Sequence, residues 1–202
     1  MLTPDERGQL DALTRRLRAR HAAIDADPGL SIQGKRARKA REQLAAEQVH
    51  RQITEASDAR HARESRNAYF RAFGMQAAGS SDVLADRDAR QFAAKIDKPA
   101  DALRELASAD MRGDVSLSRA IGERAWTMRG PADFGDHWEG VLAAYAASSP
   151  DRNRELGALA ALDSSKTDRL TESFYRYLGR PDDLKHGDIE ALAASADTTE
   201  GH

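Results

Sequence analysis

Residues 31–74 read SIQGKRARKAREQLAAEQVHRQITEASDARHARESRNAYFRAFG, and this stretch decides the fold. No Gly or Pro interrupts it from Lys35 to Phe73, and Ser31 offers a capping side chain at its start. One helix over about 31–73 is expected, roughly 65 Å long at the α-helical rise. Ala37, Ala40, Leu44, Ala45, Val49, Ile53 and Ala56 supply an apolar face. From Ser57 to Ala68 no large apolar residue occurs. A helix that is polar all round bridges solvent or is covered by a partner. Tyr69, Phe70 and Phe73 then close the run as an aromatic knob before Gly74.

Upstream, Thr3-Pro4-Asp5-Glu6 carries the signs of a helix start: Thr as N-cap, Pro at the first helical position and Glu at the capping-box position. Leu10, Leu13, Leu17 and Ile24 form a narrow coiled-coil-like stripe flanked by Arg15, Arg16, Arg18 and Arg20. Asp25-Ala-Asp-Pro-Gly29 breaks that helix. The stripe is too narrow for a core of its own, so it is expected to meet residues 37–56 in an antiparallel hairpin. About 20 residues precede the turn, so the hairpin should end near residue 56 and leave Ser57–Phe73 uncovered.

Downstream, Gly74-Met-Gln-Ala-Ala-Gly-Ser-Ser81 reads as a linker. Shorter helices are expected at about 82–96, 100–112, 114–128, 132–147, 150–162 and 165–178, divided by Gly113, Gly130-Pro131, Pro150, Gly179 and Pro181. Trp126, Phe134, Trp138 and Tyr145 give bulk to a small core. One weak helix is expected around 188–194, with the last eight residues frayed. No segment alternates with period two, so no sheet is expected. The fold class is all-α: a helical arm over 1–74 with a long charged second helix, a linker at 75–81, a compact multi-helix bundle over 82–179, and a tail over 180–202.

Composition narrows the function classes. The chain has 202 residues, 32% charged and 5% aromatic, so a core must rest on Leu, Ala, Ile and Val. Six Lys against twenty-five Arg, with abundant Ala, suggests GC-rich coding DNA. There is no Cys, which removes thiolate metal sites and a Cys nucleophile. No stretch of about 18 apolar residues marks a membrane span, and Met1-Leu-Thr-Pro lacks the apolar core of a signal peptide. The net charge of −2 hides a split: residues 1–74 are net +5 and residues 75–202 net −7. That polarity favours head-to-tail contact between copies or docking on an acidic partner.

The chemical motifs are near misses. Gly29-Leu-Ser-Ile-Gln-Gly34-Lys35-Arg36 copies part of a phosphate-binding loop, but Arg36 stands where Ser or Thr must hold Mg²⁺, and a helix precedes it. Glu47…His50 and Asp58…His61 have the spacing of helical di-iron ligands. Both lie on one helix, roughly 16 Å apart by the helical rise, so they cannot share an ion within a chain. Arg112-Gly113-Asp114 reads as a helix stop followed by a cap. No catalytic, cofactor-binding or metal residue is assigned. The basic cluster Arg36, Arg38, Lys39 and Arg41 could track phosphates, but it lacks interleaved aromatics for base stacking. It is expected as a charged helix face making ion pairs within the chain or between subunits, and Tyr69, Phe70 and Phe73 as an anchor for a partner's pocket.

Three pieces in order carry a resemblance: Ile24-Asp-Ala-Asp-Pro-Gly-Leu-Ser-Ile-Gln-Gly-Lys35 with the basic helix after it; Tyr69-Phe-Arg-Ala-Phe-Gly74; and Met111-Arg-Gly-Asp-Val-Ser-Leu-Ser-Arg-Ala-Ile-Gly-Glu-Arg-Ala125 continuing to His137-Trp138 and Val141-Leu-Ala-Ala-Tyr145. Together they resemble helical proteins from the structural-gene region of tailed phages and prophages of actinobacteria. The resemblance spans about residues 20–178. It implies a non-enzymatic virion or head-assembly role near the capsid or head-to-tail connection. The implied partners are further copies of the chain and capsid, portal or connector subunits, with nucleic acid secondary and no cofactor. The implied place is the virion, or the host cytoplasm during assembly. Two alternatives stay open: a bihelical-repeat adaptor of tetratricopeptide type, and a DNA-binding or packaging accessory.

Overall fold

The computed structural model describes residues 2–74, 80–129, 138–164, 175, 177–185 and 188–195. The protein is all-helical, with no strand among the described residues. The helices are α1 (Pro4–Ala26), α2 (Ile32–Phe73), α3 (Ser80–Ala93), α4 (Pro99–Arg112), α5 (Val115–Met128), α6 (Trp138–Ala147), α7 (Pro150–Ser164), a 3₁₀ turn (Asp182–Leu184) and α8 (Ile189–Ala194). Phe134, Leu170, Phe174 and most of the helix expected at 165–178 lie outside the described residues, as do 75–79 of the expected linker.

Local signals place the helix ends. Thr3 and Glu6 form the expected capping box: the Thr3 hydroxyl accepts from the Glu6 amide at 3.2 Å, and the Glu6 carboxylate accepts from the Thr3 amide at 2.7 Å. Ser31 accepts from the Gly34 amide at 3.0 Å at the start of α2. Gly113 ends α4 with φ +69°, a conformation that costs any residue with a Cβ, and Asp114 caps α5 by accepting from the Leu117 amide. The Arg112-Gly113-Asp114 tripeptide is accounted for by this stop and cap.

The chain divides into two compact units, Met1–Ala62 with Ser165–His202, and Arg63–Ser164. The division falls inside α2, not at the expected linker, and Ser80 and Ser81 of that linker belong to α3. The described residues after Ser164 are grouped with the N-terminal helices. The physical reason lies in where the apolar side chains go. Ala68, Ala72 and Phe73 bury themselves with α3–α7, whereas Leu184 and Ile189 bury themselves against Ala40.

In the first unit, side chains of α1 contact side chains of α2. The Arg60 guanidinium pairs with Glu6, Leu17 clusters with Ala46 and Leu178, and Lys39 Nζ lies 2.8 Å from Asp25. The Glu6–Arg60 pair lies beyond the expected end of the hairpin near 56. The buried face of α2 also departs from the expected one. Ala37, Ala40, Gln43, Ala46, His50 and Ser57 point inward, while Ala45, Val49 and Ala56 are exposed. Half of that inward set is polar, and two of its members find acceptors in the C-terminal segment: Gln43 at the Gly179 carbonyl (3.4 Å) and His50 at the Tyr175 carbonyl (2.6 Å).

In the second unit, α4 packs on α5, α5 on α6 and α6 on α7, while α3 also meets α5 and α4 meets α6. The core runs from Ala68, Ala72 and Phe73 through Leu106, Ile121 and Ala125 to Trp138, Val141, Tyr145, Leu156 and Leu159. Trp138 and Tyr145 are buried as expected, with Trp126 packed against the cluster. Gly122 permits the closest approach: a Cβ there would sit 2.8 Å from the Tyr145 ring. The Tyr145 hydroxyl donates to the Ala72 carbonyl at 2.8 Å, tying α6 to the last turn of α2.

Candidate interaction site

The aromatic triplet at the end of α2 is split by the fold. Phe73 is 0% exposed, with its ring centroid 5.3 Å from Tyr69, 5.9 Å from Tyr145 and 6.1 Å from Trp126. Tyr69 is half-buried, and its hydroxyl donates to the Glu123 carboxylate. Burial, reinforced by that carboxylate, pushes the Tyr69 phenol well above its ordinary range. Arg90 completes the cluster, reaching Glu123 at 2.8 Å, Asp86 at 2.8 Å and the Phe73 carbonyl at 3.4 Å. Tyr69 and Phe73 are thus core residues, which corrects the expectation of a free three-residue anchor. The 3.6-residue period of the helix forces the split: Ala68, Ala72 and Phe73 occupy the inward face, and Phe70, 62% exposed, projects from the other.

The basic cluster is also engaged inside the chain. Arg36 Nη2 donates to the Asp183 carbonyl at 3.1 Å, and Arg41 Nε to the Ala193 carbonyl at 2.9 Å, at the C-terminal end of α8. Lys39 is buried between Asp183 at 2.6 Å and Asp25 at 2.8 Å. Burial alone would depress the Lys39 ammonium; the two carboxylates outweigh it and raise its pKa. Lys35 reaches back to the Asp25 carbonyl at 2.7 Å, closing the turn that resembled a phosphate-binding loop. Arg38 is half-buried and has partners of its own. Arg36, Lys39 and Arg41 are therefore engaged by the C-terminal segment and Asp25 within the chain, the intrachain one of the two kinds of contact expected for this face. Nearby, the His21 ring has a buried Nε2 without a hydrogen-bond partner, and burial lowers its pKa.

The two carboxylate–histidine pairs stay apart. Glu47 accepts two hydrogen bonds from Arg180, at 2.7 and 2.8 Å, and that contact holds its pKa down. His50 is committed to the Tyr175 carbonyl. Among the described residues no group of three or more His, Cys, Asp or Glu could hold a metal ion. Among them, too, no helix is long and apolar enough to cross a membrane.

Large apolar side chains are exposed in both units: Ile32, Val49 and Tyr177 in the first, and in the second Phe70 on α2, Val83, Leu84 and Phe92 on α3, Leu103 and Met111 on α4, and Val115 on α5. Met111, 84% exposed, and Val115 flank the Gly113 turn. Apart from Phe70, sequence reading did not single out these residues as exposed. The signal was present at Met111 and Val115, which border a turn read correctly, but periodicity alone assigned them to helices without a facing. Comparison of the chain with protein-family models, with curated proteins and with solved structures finds no match.

Proposed function

We propose that this chain is a non-enzymatic helical assembly protein that works through protein–protein contacts, in the particle of a tailed phage as the sequence resemblance implies. The observation that carries the reading is the set of large apolar side chains that the second unit leaves in solvent, Phe70 and Met111 foremost. Large apolar side chains left in solvent are what a subunit contact would cover. The finer arrangement belongs to the same proposal: α1 and the first part of α2 form an antiparallel hairpin, and α3–α7 form a bundle. The descending pairs Glu6–Arg60, Leu17–Ala46 and Asp25–Lys39 support the hairpin. The internal engagement of Arg36, Lys39 and Arg41 weighs against phosphate tracking as the main role.

A bihelical-repeat adaptor is the second reading. The succession of α4 on α5, α5 on α6 and α6 on α7, with α3 on α5 and α4 on α6, favours it. The discriminating experiment is sedimentation velocity on the full chain and its Phe70→Ser variant, alone and mixed with whichever capsid, portal and connector subunits the same genome encodes. The assembly reading expects concentration-dependent association that Phe70→Ser weakens while circular dichroism stays unchanged. A chain that stays monomeric in every mixture contradicts it.

A further inference from the structure

A cleft of about 260 Å³ in the second unit is lined by Arg71 and Ala72 of α2, Arg119 of α5, Tyr145 of α6, and Asp151, Arg152, Arg154 and Glu155 of α7. Four guanidinium groups from three helices thus face one space against two lining carboxylates. Three of the four are already held. Arg71 Nε donates to Glu155 at 2.8 Å, and Arg154 Nη2 reaches Asp151 at 2.9 Å. Arg152 donates to Asp110 at 2.9 Å and to the Ser148 hydroxyl at 2.6 Å, with its guanidinium 4.8 Å from the Tyr145 ring centroid. Arg119 differs. It is half-buried beside the Tyr145 hydroxyl and pairs with no carboxylate among the described residues.

We propose that this cleft is a binding site for a phosphoryl group, with Arg119 as its principal contact. A guanidinium carries five donors, and a phenol oxygen can use only a small part of them. An oxyanion in the cleft would accept the rest, beside guanidiniums whose forks are prearranged by Glu155, Asp110 and Asp151. Donors that converge from three helices suit a tetrahedral group with several free oxygens better than a planar carboxylate. At about 260 Å³ the cleft has ample room for a phosphomonoester or inorganic phosphate, and that is the ligand proposed. Tyr145 lines the cleft, and its hydroxyl is fixed by donation to the Ala72 carbonyl.

The test is isothermal titration of the full chain with inorganic phosphate, against sodium chloride at matched ionic strength. A parallel titration uses a short single-stranded oligonucleotide without terminal phosphates. Saturable phosphate binding is expected, weakened about tenfold or more by Arg119→Gln, the scale of one charge-assisted hydrogen bond. Arg154→Gln, at an exposed position, should weaken it as well and serves if Arg119→Gln fails to fold. Arg104→Gln, on an exposed part of α4 outside the cleft, should leave it unchanged. The proposal is overturned by phosphate heats no larger than those of chloride. Equal binding by the folded Arg119→Gln and Arg154→Gln variants overturns it too, as does binding of the oligonucleotide alone.

Discussion

Phe73→Ala and Phe70→Ala differ by three positions on one helix and should differ by several kcal/mol in consequence. Phe73 is fully buried among Tyr69, Trp126 and Tyr145, with three ring centroids within 6.1 Å. Truncating a buried Phe costs about 3–5 kcal/mol through lost transfer free energy and the cavity left behind. The aromatic contacts belong to that same loss, and each such pair is worth about 0.5–1.5 kcal/mol beyond area. The upper half of the range, about 4–5 kcal/mol, is therefore expected for Phe73→Ala. Phe70 is 62% exposed, and truncation there should stay within about 0.5 kcal/mol. Urea denaturation of the full chain, followed by circular dichroism and by Trp fluorescence, reads both values. Trp126 lies against Phe73 and reports the second unit. A Phe73→Ala cost below about 1 kcal/mol, or equal costs for the two variants, would refute the assignment of Phe73 to the core.

Further expectations follow from individual contacts. Leu184→Ala should destabilise the chain by about 2–5 kcal/mol, because Leu184 is fully buried against Ala40, and calorimetry of the variant checks this. Hydrogen bonding with Arg60 and with the Thr3 amide and hydroxyl holds the Glu6 carboxyl down to about 2 from its ordinary 4.5. Its contribution to stability is present above pH 4.5 and fades as pH falls towards 2, so the denaturation midpoints of parent and Glu6→Gln should converge across that window. Gly122→Val should fail to fold or lose several kcal/mol, since even a Cβ meets the Tyr145 ring at 2.8 Å; a melting temperature equal to the parent's would contradict that packing.

Signals confined to a few consecutive residues were legible in the sequence. Thr3-Pro4-Glu6, Ser31 and Gly113-Asp114 act through contacts three or four residues away, so type and spacing sufficed. The all-helical class was legible for the same reason. What sequence could not reveal was long-range satisfaction of polar groups. Gln43 and His50 look like solvent residues, yet their acceptors are carbonyls of Gly179 and Tyr175, more than a hundred positions away. Arg36 and Arg41 look like an open basic face because their acceptors are the backbone carbonyls of Asp183 and Ala193, which no side-chain pattern advertises. The end of α2 misled in the opposite way. The polar run from Ser57 to Ala68 suggested that the aromatics after it had no core to join, but that core is assembled from α3–α7.

The central claim, that this chain is an assembly protein of a phage particle, is tested most directly by following it into particles. Particles from the phage or induced prophage that encodes the chain would be banded by density and washed at high salt. The chain would then be quantified by mass spectrometry against the major capsid subunit. The account predicts retention at a fixed ratio to capsid, reduced in the Phe70→Ser variant. Recovery of the parent chain wholly in the soluble fraction, with intact particles formed without it, would contradict the account.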